Sequence, residues 1–183
     1  QVWYNADVSN TTNFNVAPAN GGDISQWKDR SGTGHNANQS GNASVKPNWY
    51  GNVQNSLGAI RFNGTTESLT INPVAFLQSL PGFTMFVVAR LNIASGIRPI
   101  TCTDTDGMKI VYDGTNWGVK IAGGAGTSTV TGETSKFHTF GLVFDGTKAD
   151  NATRLKFRYD GAQQALTYTG TVGTATSATS STL

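Results

Sequence analysis

The sequence predicts an all-β protein, an antiparallel β-sandwich, on three observations. Thr (25), Gly (22) and Asn (16) dominate its 183 residues, and the only glutamates are Glu67 and Glu133, so strand and turn formers far outnumber strong helix formers. Short apolar–polar alternations recur along the chain, as in Met108, Ile110, Tyr112 and in Leu155, Phe157, Tyr159. Asn63-Gly64, Asp113-Gly114 and Asp160-Gly161 punctuate them, the dipeptides that favour two-residue hairpin turns.

Size and charge narrow the partners. The length suits one domain with a substantial core, and no composition break argues for two; residues 1–169 read as the sandwich and 170–183 as a Gly/Thr/Ser/Ala-rich tail or linker. The net charge of +2 and pI of 8.8 predict neither nucleic-acid nor membrane-surface binding. The chain has no apolar run long enough to insert in a bilayer. Cys102, the one cysteine, leaves no intramolecular disulfide, so stability must come from the core. With Gln1 first, the chain is expected to begin after processing or as a piece of something longer.

Val2 to Tyr4 is a short apolar start, followed by a long polar loop through Asn20, Gly21 and Gly22. In the run Ile24 to Gln39, Gly32 and Gly34 can take positive φ, while Asp29 and Ser31 can bond nearby backbone N–H groups; this reads as a structured corner with Trp27 pinned inward as its anchor. A polar loop with Pro47, Trp49, Tyr50 and Gly51 leads to the alternating run Ala59 to Phe62. Asn63-Gly64 then turns the chain into a hairpin-like return from Glu67 to Ile71.

Asn72-Pro73 looks like a helix start, cap followed by first position, predicting one short helix near 73–80 with Val74, Phe76, Leu77 and Leu80 as its apolar face. Phe83 to Leu91 is apolar on both alternation faces and reads as a central core strand covered on both sides. Met108, Ile110 and Tyr112 share a face, as do Trp117, Val119 and Ile121 after the turn at Asp113-Gly114. Ala122 to Gly126 reads as flexible. His138, Phe140, Leu142 and Phe144 share the next face, with His138 a strand-edge residue that has a hydrogen-bond partner. Arg154, Lys156 and Arg158 alternate with Leu155, Phe157 and Tyr159, a basic stripe whose usual meaning is a solvated outer face. Asp160-Gly161 predicts a hairpin with Ala162 to Tyr168 as the partner strand. Residues 170 to 183 hold too little apolar area to order themselves and are expected to be mobile unless something packs on them.

The pattern Trp27-x-Asp29-x-Ser31-Gly32-x-Gly34-x-x-Ala37-x-Gln39, then Pro47, then Arg61-Phe62-Asn63-Gly64 with Leu69, then Phe83 to Arg90, resembles laminin-G-like domains of the concanavalin A-like lectin/glucanase superfamily. Order and spacing match as far as Asp160-Gly161. The resemblance implies a jelly-roll sandwich of two antiparallel sheets in a secreted, cell-surface or phage virion protein, often a glycan-binding or adhesive attachment. Two departures stand out. Asn63 occupies a position that is usually Asp in this family, and the family's closing strand has no counterpart before Leu183. A longer parent chain is the favoured explanation; the other is a strand supplied by another polypeptide.

Candidate chemistry is sparse. A glycoside hydrolase needs two carboxyl groups roughly 5 to 9.5 Å apart across the bond it breaks; Glu67 and Glu133 each stand alone, and no apolar strand carries carboxylates at i and i+2. Neither His35 nor His138 has a signature tying it to Cys102. Asp104-x-Asp106-Gly107 superficially opens a calcium loop, but its twelfth position is Thr115 rather than Glu; the resemblance keeps calcium open, since related jelly rolls bind it at loop edges, with Asp104 and Asp106 the first candidates, and no other cofactor is expected. Sugar binding needs an exposed aromatic with Asn, Asp or backbone groups beside it. Trp49 and Tyr50 are the leading candidates and Asn63 a third. Trp117 is the fourth, although sharing a face with Val119 and Ile121 suits the core. Trp27, Asp29, Ser31, Gly32, Gly34, Arg61, Phe62 and Gly64 read as residues that define the fold.

These readings favour a non-catalytic module in adhesion or surface-glycan binding, located outside the cell, on a cell surface or on a virion. A structural component of an assembly, such as a phage capsid decoration or fibre protein, is the main alternative, with neighbouring subunits as partners. A glycoside hydrolase comes third.

Overall fold

The computed structural model describes residues 1–72, 74–103, 108–121, 123–176 and 181–182. The fold is nearly all β, an antiparallel β-sandwich. The chain forms two compact units, Gln1–Pro73 with Ser180–Leu183, and Val74–Thr179.

In the first unit the strands are short: β1 (Gly22–Asp23), β2 (Gln26–Trp27), β3 (Ala37–Asn38), β4 (Asn48–Gln54), β5 (Leu57–Arg61) and β6 (Thr70–Ile71). β4 pairs with β1 on one side and β5 on the other. The β4–β5 turn is Asn55-Ser56, with φ of 49° and 62°, the double positive φ of the turn that matches strand twist. The expected hairpin at Asn63-Gly64 is therefore corrected. Asn63 Oδ1 accepts from the backbone N–H groups of Thr65, Thr66 and Glu67 at 2.9, 3.0 and 3.1 Å, rounding the chain into a loop. The return segment β6 then pairs with β3 and with Ser181–Thr182. Phe14, Ile24, Ala37 and Leu69 are fully buried.

The second unit holds β7 (Gly82–Ala89), β8 (Arg98–Thr103), β9 (Lys109–Tyr112), β10 (Asn116–Ile121), β11 (Gly124–Thr131), β12 (His138–Asp145), β13 (Leu155–Tyr159), β14 (Ala162–Gln164) and β15 (Thr167–Thr169). One sheet runs β15-β11-β10-β9-β8 and the other β14-β13-β12-β7. Period-two alternation turns one face of each inward. Met108, Ile110, Tyr112, Trp117, Val119 and Ile121 from the first meet Phe140, Leu142, Phe144, Leu155 and Phe157 from the second in a single buried cluster. Trp117 packs against Phe140 with ring centroids 4.5 Å apart. Burying each such side chain contributes roughly 1.5 to 3 kcal/mol.

Five sequence expectations are corrected here. The segment near 73–80 makes only a 3-10 turn, Ala75–Leu77, with no side-chain cap, and Pro73 lies outside the described residues. Ser79 has φ of 55°, and its N–H donates to Thr176 O while that of Leu80 donates to Thr176 Oγ1; these amides cannot continue a helix. The α-helical turn among the described residues is instead α1 (Asn151–Arg154), where Asp150 Oδ1 accepts from Thr153 N at 2.9 Å in a capping box. The stretch from Gly124 is strand rather than flexible linker. A Cβ on Gly124 would lie 2.5 Å from Val172 N, and one on Gly126 would lie 2.8 Å from Leu166 Cδ1, so these glycines permit close approach.

The partner of β13 stops at Gln164, and Thr167–Thr169 crosses to pair with β11 in the other sheet. Nor is the start of the tail free. Val172 is fully buried, and Asn151 and Arg154 hold it by Val172 N to Asn151 Oδ1 at 2.9 Å and Arg154 Nη1 to Val172 O at 2.7 Å. Last, β7 lies at the edge of its sheet rather than its centre. Its inward residues Phe83, Met85, Val87 and Ala89 pack on the core, whereas Phe86 and Val88 are 77% and 67% exposed.

Candidate functional site

The β4–β5 hairpin carries an open depression of about 260 Å³ lined by Asn48, Tyr50, Arg61, Asn63 and Glu67. Register explains which side chains meet there. Asn48 faces Arg61, Trp49 faces Ile60 and Tyr50 faces Ala59, so Asn48, Tyr50 and Arg61 share one face and Trp49 takes the other. The small Ala59 opposite Tyr50 keeps the space beside that ring open.

Trp49 and Tyr50 were expected together in a loop; they lie on a strand and point to opposite sides. Trp49 is 9% exposed. Its indole Nε1 donates to Ala6 O at 2.8 Å, and its ring fills the space that a Cβ on Gly58 would need. It is a packing residue. Trp117 is 2% exposed, inside the second unit's core and beyond reach of a ligand. Tyr50 and Asn63 are the two candidates that the structure brings to one place. Asp104 and Asp106 lie outside the described residues, and no described group of His, Cys, Asp and Glu is arranged to hold a metal.

Within the depression the polar groups divide into those already bonded and those open. Asn63 commits its side chain to its own loop, with Oδ1 accepting from three amides and Nδ2 donating to Thr66 Oγ1 at 2.9 Å. Asn48 Nδ2 donates to Asp23 Oδ1 at 2.9 Å. Glu67 Oε2 accepts from Asn63 N at 2.6 Å. Among the described residues the Tyr50 hydroxyl, Glu67 Oε1 and the exposed Arg61 guanidinium have no polar partner. Together they offer a phenol, a carboxylate oxygen and five N–H donors beside an aromatic face. Glu67 is the only carboxylate lining the depression.

The sequence alone gives Arg61 a place in the fold, Glu67 a place only in the third-ranked hydrolase reading, and Asn48 none. The signal that could have found them is the period-two partner of Tyr50, Asn48, and the residue facing it across the hairpin.

The run from Trp27 to His35 forms a knot centred on Asp29. Its carboxylate accepts from Trp3 N at 3.1 Å, Ser31 N at 2.9 Å, Ser31 Oγ at 2.9 Å, Thr33 Oγ1 at 2.7 Å and His35 N at 3.1 Å. Desolvation pushes this carboxyl upward, but the hydrogen bonds from Ser31, Thr33 and Trp3 outweigh it and hold it well below the usual carboxylate range. Gly32 and Gly34 take φ of 83° and 80°. Trp27 is only half-buried; its Nε1 donates to Asn5 O at 2.7 Å and its ring lies 5.1 Å from that of Tyr4. The Tyr4 hydroxyl donates to His35 O, and burial followed by the nearby Asp29 charge raises its pKa. Two residues of the basic stripe are engaged by backbone carbonyls, Arg154 by Lys148 O and Val172 O and Arg158 by Gly161 O at 3.0 Å.

No family model, no curated protein and no solved structure matches this chain.

Proposed function

We propose that this chain is a non-catalytic module that binds surface glycan, on an exposed extracellular or virion-surface protein, through the depression on the β4–β5 hairpin. The observation that carries this reading is the meeting of Tyr50, Arg61 and Glu67, each with an open polar group, in one depression. A pyranose offers an apolar ring face for stacking and vicinal hydroxyls that a carboxylate and a guanidinium can bridge. The single carboxylate favours binding over hydrolysis, since glycosidic cleavage uses a pair. The antiparallel sandwich and the Trp27 to Gln39 pattern support a jelly roll of the laminin-G-like kind within the concanavalin A-like superfamily.

A glycan array read with the wild type and with Tyr50→Ala and Arg61→Ala tests it. Binding that falls at least about tenfold in both variants, at an unchanged melting temperature, is expected. Binding that is absent, or that survives both changes, overturns the site.

A second reading, a structural block in a larger assembly, is favoured by the exposed apolar residues Phe86 and Val88. Copurification in a large particle without any glycan binding would establish it in place of the first.

A further inference from the structure

β7 closes one side of its sheet and, among the described residues, pairs with β12 alone. Natural edge strands are blunted by charge, proline or a bulge. The eight residues of β7, GFTMFVVA, have no charge and no proline, and their register with β12 runs unbroken from Gly82↔Asp145 to Ala89↔His138. Its outward face presents Thr84, Phe86 and Val88, the last two largely exposed. Charge appears only at the ends, Arg90 just past one and Asp145 beside Gly82 at the other.

We infer that β7 pairs antiparallel with β7 of a second copy of this chain, about a two-fold axis through Phe86. That register sets Phe86 against Phe86, Thr84 against Val88 and Gly82 against Arg90, and joins two four-stranded sheets into one. The charges decide for a second copy over an unrelated strand. Across the joined sheet one row reads Asp145, Gly82, then Arg90 of the second copy, over two strand spacings or about 10 Å between outer Cα atoms. Gly82 has no side chain to obstruct the guanidinium reaching over it to the carboxylate. The two-fold axis makes the pair twice. In the single chain Arg90 lies 5.2 Å from the Phe137 ring centroid and Asp145 Oδ2 lies 3.5 Å from Lys148 Nζ. Both are surface contacts of small energy that a new partner can displace. The Phe86 ring already rests beside Gly141, 3.4 Å from where a Cβ would be, leaving room at the axis. One strand edge buries less than the ~1,600 Å² of a standard stable interface, so the dimer is weak.

Sedimentation equilibrium of the full chain from about 1 μM to 1 mM is the test, with a mass rising from monomer toward dimer expected. Arg90→Asp and Asp145→Arg each put like charges in both rows and should weaken association at least about tenfold. An equimolar mixture of the two variants restores opposite charges in both rows, so it should form a heterodimer. Phe86→Lys mixed with Phe86→Glu gives the same rescue at the axis, and this exposed position leaves folding untouched if Asp145→Arg disturbs its turn. A monomer at every concentration, a dimer indifferent to these variants, or mixtures of folded variants that stay monomeric would overturn the inference.

Discussion

His138 Nδ1 lies 2.8 Å from Asp160 Oδ2, tying the first residue of β12 to the turn that joins β13 and β14. The other carboxylate oxygen of Asp160 accepts from Thr139 N at 2.9 Å. The imidazole is 4% exposed and stacks on Tyr159 at 4.6 Å. On its far side Nε2 is 3.2 Å from Glu133 Oε2, close enough for attraction but not aligned as a hydrogen bond. The Asp160–Gly161 hairpin is thus anchored to β12 as well as turned.

Asp160→Asn tests that anchor without straining the backbone, because Asn tolerates the φ of 48° at this position. The hydrogen bond from His138 is the main reason the Asp160 carboxyl sits below its ordinary value. A depressed carboxyl stabilises the fold above the unfolded-state value near 4 and loses that contribution as pH falls. With the carboxylate half exposed, solvent screening keeps the loss to about 1 kcal/mol at pH 7. Urea midpoints of the two proteins should differ at pH 7, and the gap should shrink as pH falls below about 4 and on through the lower folded value; a gap that stayed constant over that whole range would mean the charge is not what matters.

Asp29 makes the same kind of contribution on a larger scale. Its folded carboxyl titrates below the unfolded value near 4, so the stability it brings is complete above that value and is lost as pH falls on through the lower folded one. Asp29→Asn keeps the shape and removes the charge. A loss of about 2 kcal/mol at pH 7 is expected, with a flatter dependence of stability on pH below about 4 than in the wild type. Equal stability of the two proteins at pH 7 would refute a structural role for this knot.

The second unit was legible in the sequence because its large apolar side chains recur with a period of two. Met108, Ile110, Tyr112 and Phe140, Leu142, Phe144 were read as shared faces, and all six are buried. The first unit was less legible, since its hairpin turns on Asn55-Ser56, a pair without the glycine that marks such turns, while Asn63-Gly64 has that mark and makes a loop. Missing that hairpin placed Trp49 and Tyr50 in a loop and hid the pairing of Asn48 with Arg61 that assembles the depression. β7 was misplaced for another reason: an apolar run on both faces says that both need cover, not what supplies it.

Gly58→Ala probes the packing behind the depression. The added Cβ would lie 2.6 Å from Trp49 Cζ2, and the ring cannot swing away while its Nε1 is bonded to Ala6 O. Overpacking of this kind costs about 1 to 3 kcal/mol. Thermal unfolding should register it, and a variant that melts with the wild type would show that the indole is free to move.

Two tryptophans separate core from corner. Trp117 is 2% exposed and touches both Tyr112 and Phe140, so Trp117→Ala leaves a cavity in the sandwich and should cost about 4 kcal/mol. Trp27 was expected to be pinned inward as an anchor. It is only half-buried, and its truncation removes one hydrogen bond to Asn5 O and a tilted ring contact with Tyr4, a loss of about 2 kcal/mol. Solvent can fill the space that Trp27→Ala opens, whereas the space left by Trp117→Ala stays enclosed by apolar walls that hold no water. Denaturant unfolding of the two variants side by side should therefore rank Trp117→Ala as clearly the more damaging. The reverse order would mean that the corner at Trp27, and not the layer at Trp117, is where this fold is held.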